Sequence, residues 1–538
     1  MRMKWWALAA AAGILACGRV SIGLKAQDCA GLKNVAIDQT KVESAEVVPA
    51  GSTISMPMGM PGSQIGPLPA FCKVTGVIHD HVAADGKHYG IRFELRLPSD
   101  WNGKFFFQGG GGTDGNLSPA IGMTGFGKPT ALERGYAVVS DDGGHQGGGD
   151  TSFGREQQAR LDYAFESTIE TTRVAHQLIA AYYGKLPAHS YFVGCSNGGR
   201  EAMMAIERTP FDFDGAIAGD PGFRLTHAAV GEAWDTQAFI AIAPKDAQGH
   251  PILSKAFSNA DLKLVSDAVL AKCDALDGIK DGEINNFAAC KFDPAVLACK
   301  GAKTDQCLSR DQIEALKKSF GGAHDSKGNA LYSSWPYDAG IGDMGWRMWK
   351  IGTSGTAQPN AINTTMGAQS LTDYFVHPYI EGVSPWNLDF DHAAALTDQT
   401  ARINDAVDTD LSTFSAHGGK LLIYEGLSDP VFSADDIVDY YRQLERDNGG
   451  QEKTASMARL FLIPGMTHCG GGPATDQFDS LTALEKWVEQ GEAPQSIMAS
   501  GAAFPGRTRP LCPYPQYAAY NGSGDPQDGK NFTCKNPE

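Results

Sequence analysis

Ser190-Tyr-Phe-Val-Gly194-Cys195-Ser196-Asn197-Gly198-Gly199 runs directly into Arg200-Glu201-Ala-Met-Met-Ala-Ile-Glu207, so an apolar strand, a glycine-bounded turn and a helix-forming segment follow one another without a spacer. Residues 194–198 read G-x-S-x-G, the pattern of a nucleophile elbow. Its glycines let the chain reverse sharply and let strand and helix backbones approach closely, leaving Ser196 at the apex. A bare G-x-S-x-G also occurs as an ordinary glycine turn; the strand before it and the helix after it favour the functional reading.

Outward from this turn the same alternation recurs. Upstream, Ile91-Arg-Phe-Glu-Leu-Arg-Leu97 alternates apolar and polar side chains as an antiparallel edge strand does, and Lys104-Phe-Phe-Phe107 reads as a buried strand ending in the glycine run 109–112. Tyr136-Ala-Val-Val139, a helical stretch over 165–183 and Phe213-Asp-Gly-Ala-Ile-Ala-Gly219 continue the pattern. Short apolar strands alternating with helices predict a parallel α/β sheet. The pattern then stops. It resumes at Lys420-Leu-Leu-Ile-Tyr424, with a helix over 433–448, a strand at Arg459-Leu-Phe-Leu-Ile463 and a helix over 477–490. Residues 27–220 and 411–538 are therefore expected to form one sheet domain, and 221–410 an inserted lid domain.

A serine hydroxyl needs an imidazole beside it and a carboxylate to orient that imidazole, and on sheets of this kind the chain order is Ser, acid, His. Asp429 lies just past the strand at 420–424, and His468 in Pro464-Gly-Met-Thr-His468-Cys469 just past the strand at 459–463. They are the expected acid and base for Ser196. Asp435 and Asp436 compete for the acid role, and Asp429 could instead be a turn or N-cap acid; the alternative for His468 is a loop histidine bonded to backbone. A tetrahedral oxyanion needs two backbone N–H donors. Asn197, the residue after the serine, is expected to supply one, and Gly111 or Gly110 the other. The glycine run could also cradle phosphate, but no Lys-Ser/Thr follows to complete such a loop.

The chain has 538 residues with Lys plus Arg at 45 against Asp plus Glu at 62, a net charge of −17 that argues against nucleic acid or an anionic membrane as partner. Met1-Arg-Met-Lys4, the apolar run 5–16 and a short polar stretch to Ala26 form a secretory signal over 1–26, too short to span a bilayer. Cleavage near Ala26 competes with lipidation at Cys17. A secreted or periplasmic location follows, and with it disulfides. Local spacing pairs Cys273 with Cys290, Cys299 with Cys307, Cys512 with Cys534 and Cys29 with Cys72, leaving Cys195 and Cys469 for each other. That last pair flanks Ser196 and His468. If the two share a hydrogen bond, their neighbours come within disulfide reach. Zinc is the rival use of the cysteines, but no CxxC pair occurs.

Gly194-Cys195-Ser196, Asp429 and His468-Cys469 together resemble the tannase and feruloyl esterase family, in which the serine and the histidine are each flanked by a cysteine and those cysteines bond. The likeness runs over essentially the whole mature chain, and the ten cysteines fit the family's five-bridge pattern. It implies an α/β-hydrolase fold with a lid and hydrolysis of esters of phenolic or other aromatic acids. The same family contains a hydrolase of terephthalate monoesters, whose lid carries an arginine that grips the substrate carboxylate; here no arginine stands between Arg347 and Arg402.

In Cys273-Asp274-Ala-Leu-Asp277-Gly-Ile279-Lys-Asp281-Gly-Glu283 three carboxylates could wrap a hard cation or form a solvated acidic turn. The resemblance implies structural calcium, held by the carboxylates of Asp274, Asp277 and Asp281 and the carbonyls of Ile279 and Glu283. Trp234, Trp335, Trp346, Trp349 and Trp386 all fall in the lid; they are expected to form its core, with one or two lining a pocket for an aromatic acyl group. The expected activity is thus that of an esterase acting on small aromatic esters. The rivals are a serine peptidase on the same fold and a calcium-dependent binding protein.

Overall fold

The computed structural model describes residues 27–55, 64–123 and 129–537; the signal segment 1–26 lies outside them. Nine strands form one sheet: β1 (Thr40–Val48), β2 (Phe71–Val82), β3 (His88–Pro98), β4 (Lys104–Gln108), β5 (Ala137–Asp141), β6 (His189–Cys195), β7 (Gly215–Gly219), β8 (Lys420–Gly426) and β9 (Ala458–Ile463). Their order is β1-β2-β3-β5-β4-β6-β7-β8-β9. The strands from β5 to β9 in that order pair parallel, and β1, β2 and β3 add an antiparallel flank. The alternating strand around Ile91 is therefore not an edge. β3 is paired on both sides, by β2 and β5, because the chain before it supplies two further strands that periodicity had not marked.

Alternation along each strand feeds two cores. Phe105 and Phe107 of β4 pack with Phe192 on one face, whereas Phe106 packs with Tyr191 and Leu422 on the other, and all are fully buried. Helices α1 (Ser167–Tyr183) and α2 (Asn197–Arg208) cover the first face through Leu178 and Met203. At about 1.5–3 kcal/mol for each buried large apolar side chain, this two-sided burial fixes the register of the central strands.

Between β7 and β8 lies the insertion, which is more helical than its sequence suggests. It holds α3 (Leu225–Ile240), α4 (Asn259–Cys273), α5 (Arg310–Phe320), α6 (Met344–Lys350), α7 (Ile362–Ser370) and α8 (Phe390–Asn404). Ser258 and Ser309 start α4 and α5 with reciprocal caps. Leu262, Val265, Leu316 and Trp346 form a separate apolar core there. After β9 come α9 (Ala434–Asp447), which precedes β9 in the chain and covers the first face, and α10 (Ser480–Gln490), which covers the second.

The ten cysteines form five bonds: Cys29–Cys72, Cys195–Cys469, Cys273–Cys290, Cys299–Cys307 and Cys512–Cys534. The C-terminal segment does not stay with the sheet. Arg507 and Arg509 reach back to Glu283 and Asp281 of the insertion's acidic loop.

Candidate active site

At the end of β6 the chain turns at Ser196 with φ 64° and ψ −125°, a strained conformation, and α2 begins at Asn197. The turn is held from both sides: the Ser196 N–H donates to the Gly219 carbonyl of β7 at 2.9 Å, and the Ser196 carbonyl accepts from Gly222 and Arg200 at 3.1 Å each. A Cβ on Gly194 would meet the Gly198 carbonyl carbon at 2.4 Å, so the close crossing of β6 and α2 requires glycine.

The three groups named from chain order converge. Ser196 Oγ lies 2.8 Å from His468 Nε2, and His468 Nδ1 lies 2.7 Å from Asp429 Oδ2. Asp429 Oδ1 is held in turn by the N–H groups of Val431 and Phe432, at 2.6 and 3.1 Å. Asp435 and Asp436 point elsewhere, to Ser334 and to Ser333 with Arg224. Burial alone would lower the His468 pKa; the charge and hydrogen bond of Asp429 outweigh it and raise the imidazole above its usual 6.5. Trp349 and Phe432 stand edge-on to that imidazole, their ring centres 5.0 and 5.4 Å away. A buried imidazole between a hydroxyl and a carboxylate can take the hydroxyl proton and return it to a leaving group.

Cys195 and Cys469, one residue from each partner of that hydrogen bond, are joined with Cα atoms 6.0 Å apart. Asp220, which the sequence reading missed, reinforces the same junction. It is fully buried at the end of β7 and accepts the Cys469 N–H at 2.8 Å and the Gly426 N–H at 2.7 Å, so one carboxylate ties the histidine loop to β8. Burial and the neighbouring Asp429 push it to about 8. Glu425 is buried beside it with no partner for either oxygen, and burial followed by the Asp220 and Asp429 charges drives its pKa well up. The only sequence signal for Asp220 was a carboxylate directly after an all-small strand.

Asn197 and Gly111 present backbone N–H groups that no described residue accepts, and the space above Gly111 is open. Gly110 is different and corrects the expectation made for it: its N–H donates to Glu201 Oε2 at 2.9 Å, so the buried carboxylate has already taken the donor. The Asn197 side chain is fixed by Asp114 and Glu201, at 2.6 and 2.8 Å, and by Arg200 at 2.7 Å. Its backbone is thereby held at the start of α2.

Above Ser196 a cavity opens between the sheet edge and the insertion. Leu225, Ala229, Trp349, Met366, Phe375 and Phe432 wall it, and Glu232 is the one ionisable side chain besides Tyr163 in its lining. Among the five insertion tryptophans, Trp349 lines this cavity and Trp346 belongs to the insertion's core.

The acidic loop is built differently. Asp274 accepts the N–H groups of Asp281 and Gly282 at 3.1 Å each, and Asp277 accepts from Ile279 at 3.2 Å and from the Asn285 side chain at 2.9 Å. Burial, with Asp281 charge added, raises both acids, Asp277 to about 6. Asp281 pairs with Arg509, while the Glu283 side chain turns away to Thr475 and Arg507 and leaves only its carbonyl for the loop. The donor chemistry fits a hard divalent cation, since three carboxylates sit on one short loop and two of them are buried and resist ionising without one.

A parallel α/β sheet whose elbow serine is hydrogen-bonded through histidine to aspartate, under an inserted helical layer, defines the serine hydrolases of the α/β-hydrolase fold. Within them, this chain belongs to the tannase and feruloyl esterase family, whose sequence model matches residues 72–535, and it is a carboxylic ester hydrolase. The mono(2-hydroxyethyl) terephthalate hydrolase of Piscinibacter sakaiensis is 42% identical over 519 residues, covering 87% of this chain and 85% of that one. A probable feruloyl esterase B of Aspergillus clavatus is 28% identical, covering 94% and 95%. The crystal structure of feruloyl esterase B from Aspergillus oryzae superposes with a TM-score of 0.79 at 24% identity, over 94% of this chain and all 100% of that one, and shares the fold. Among the described residues no helix is long and apolar enough to cross a membrane.

Proposed function

We propose that the protein is an exported serine esterase that cleaves esters of phenolic acids through an acyl-enzyme. The observation that carries this reading is the unbroken hydrogen-bond chain Ser196–His468–Asp429 opening into a cavity with aromatic walls. Ser196 Oγ forms the bond to the acyl carbon while His468 Nε2 takes its proton. The N–H groups of Asn197 and Gly111 stabilise the oxyanion, and the imidazolium then protonates the departing alkoxide. Water, deprotonated by the same imidazole, releases the acid. Five disulfides support export into an oxidising compartment. Structural calcium on Asp274, Asp277 and Asp281, with the carbonyls of Ile279 and Glu283, is part of the proposal; it would neutralise the acidic loop and take no part in the chemistry.

Hydrolysis of terephthalate monoesters is the second reading, favoured by the 42% identity to the Piscinibacter enzyme. Against it, the cavity lining contains no arginine or lysine to meet a second carboxylate. Rates on methyl ferulate, methyl gallate, mono(2-hydroxyethyl) terephthalate and a peptide panel separate the readings. We expect the two phenolic esters to have the highest kcat/KM. A preference for the terephthalate monoester would replace the first reading with the second.

A further inference from the structure

Glu232 is a carboxylate in an otherwise apolar place. It sits on α3 in the run Ala228-Ala-Val-Gly-Glu232-Ala, among helix positions that are mostly buried. The side chain faces the cavity that also contains Ser196 and points toward α7, where a Cβ on Gly367 would come within 3.1 Å of its Oε2. No described residue gives it a hydrogen bond. The nearby cation does not neutralise it either: Lys350, itself buried, is hydrogen-bonded to Asp235 on the next turn of α3. Leaving such a group unpaired in a dry pocket costs free energy, on the order of 1–3 kcal/mol, which a ligand group able to pair with it would recover.

We propose that Glu232 sets acyl specificity, pairing with a neutral hydroxyl on the acyl group of the substrate and disfavouring an acyl group that carries a second carboxylate. A phenolic hydroxyl both donates and accepts, so it satisfies this side chain in either protonation state. A carboxylate has to share its proton or face its charge. Burial holds the Glu232 carboxyl up at about 8, which lets it donate as well as accept near neutrality. The inference rests on the aromatic-ester reading and refines it by naming the residue that recognises the acid half.

The test compares kcat/KM within each protein, so that any loss of folded enzyme cancels. Methyl 4-hydroxycinnamate is set against methyl cinnamate, and monomethyl terephthalate against methyl benzoate, for the wild type, Glu232→Ala and Glu232→Gln. Glu232→Ala is expected to lower the hydroxyl preference by at least about tenfold. Glu232→Gln, which still donates and accepts but carries no charge, is expected to keep that preference and to raise the relative rate on monomethyl terephthalate by about tenfold. A hydroxyl preference in Glu232→Ala within threefold of wild type overturns the assignment of Glu232 while leaving the esterase reading intact. A wild type that hydrolyses none of the four esters overturns both.

Discussion

Ser196, Asp429 and His468 stand just past the ends of three parallel strands, whereas Glu232, Trp349 and Met366 stand on helices of the insertion that closes over them. On the sheet side every group is held at least twice. The serine by the backbone of β7, the aspartate by two N–H groups, and the histidine loop by Asp220 and by a disulfide. On the insertion side the cavity is shaped by apolar packing, with one carboxylate left unpaired. The reaction is thus fixed by strand geometry and the choice of substrate by a separable layer. Changes on the sheet side should cost kcat for every ester alike, and changes on the insertion side should reorder the esters.

The largest test of this division short of the nucleophile is Asp429→Asn. Losing the carboxylate should lower kcat on the order of 10³- to 10⁴-fold for all esters together. It also removes the group that holds His468 up. The acidic limb of the wild-type kcat/KM profile should therefore lie above the 6.5 of an ordinary imidazole, and that of the variant should move down, since burial then acts unopposed. If the esters lose unequal amounts, the division is wrong.

A Cys195→Ala, Cys469→Ala double variant comes next. The bond closes a loop of 274 residues, worth on the order of 5 kcal/mol in the chain-entropy account. It also holds His468 near Ser196, and a slackening of about 1 Å can cost on the order of 10²-fold. We expect kcat at 20 °C to fall at least about tenfold in protein still folded by circular dichroism, with Asp220 preserving part of the alignment. Full kcat would make the bond a stabiliser only. The smallest effect is expected far from the cleft: EDTA should lower the melting temperature by a few degrees, and added calcium should restore it, because a ligand of the folded state stabilises it by mass action. No shift, or an equal shift in Asp277→Asn, would remove calcium from the account.

The same division decides what could be read from the sequence. The elbow, the acid and the base were legible because each follows an apolar strand whose periodicity announces it, and because the two flanking cysteines mark the pair. Asp220 was not, since a lone acid at a strand end looks like any turn residue and only its two N–H partners from distant loops reveal its work. Gly110 was misjudged for a related reason: the glycine run is visible in sequence, but the buried Glu201 that takes its N–H comes from the far side of the elbow. β1 and β2 went unread, which left β3 mistaken for an edge. In the insertion neither period dominates, so its helices and the facing of Glu232 and Trp349 emerge only from tertiary packing.

The central claim is that Ser196 performs the chemistry, and the most direct measurement is the rate of Ser196→Ala on methyl ferulate beside that of the wild type, with both shown to be folded by circular dichroism. Removing a nucleophile costs several orders of magnitude in kcat and little in packing at such a turn. The account predicts a folded variant with less than about a thousandth of wild-type kcat; a folded variant that keeps more than about a hundredth of it would contradict the account.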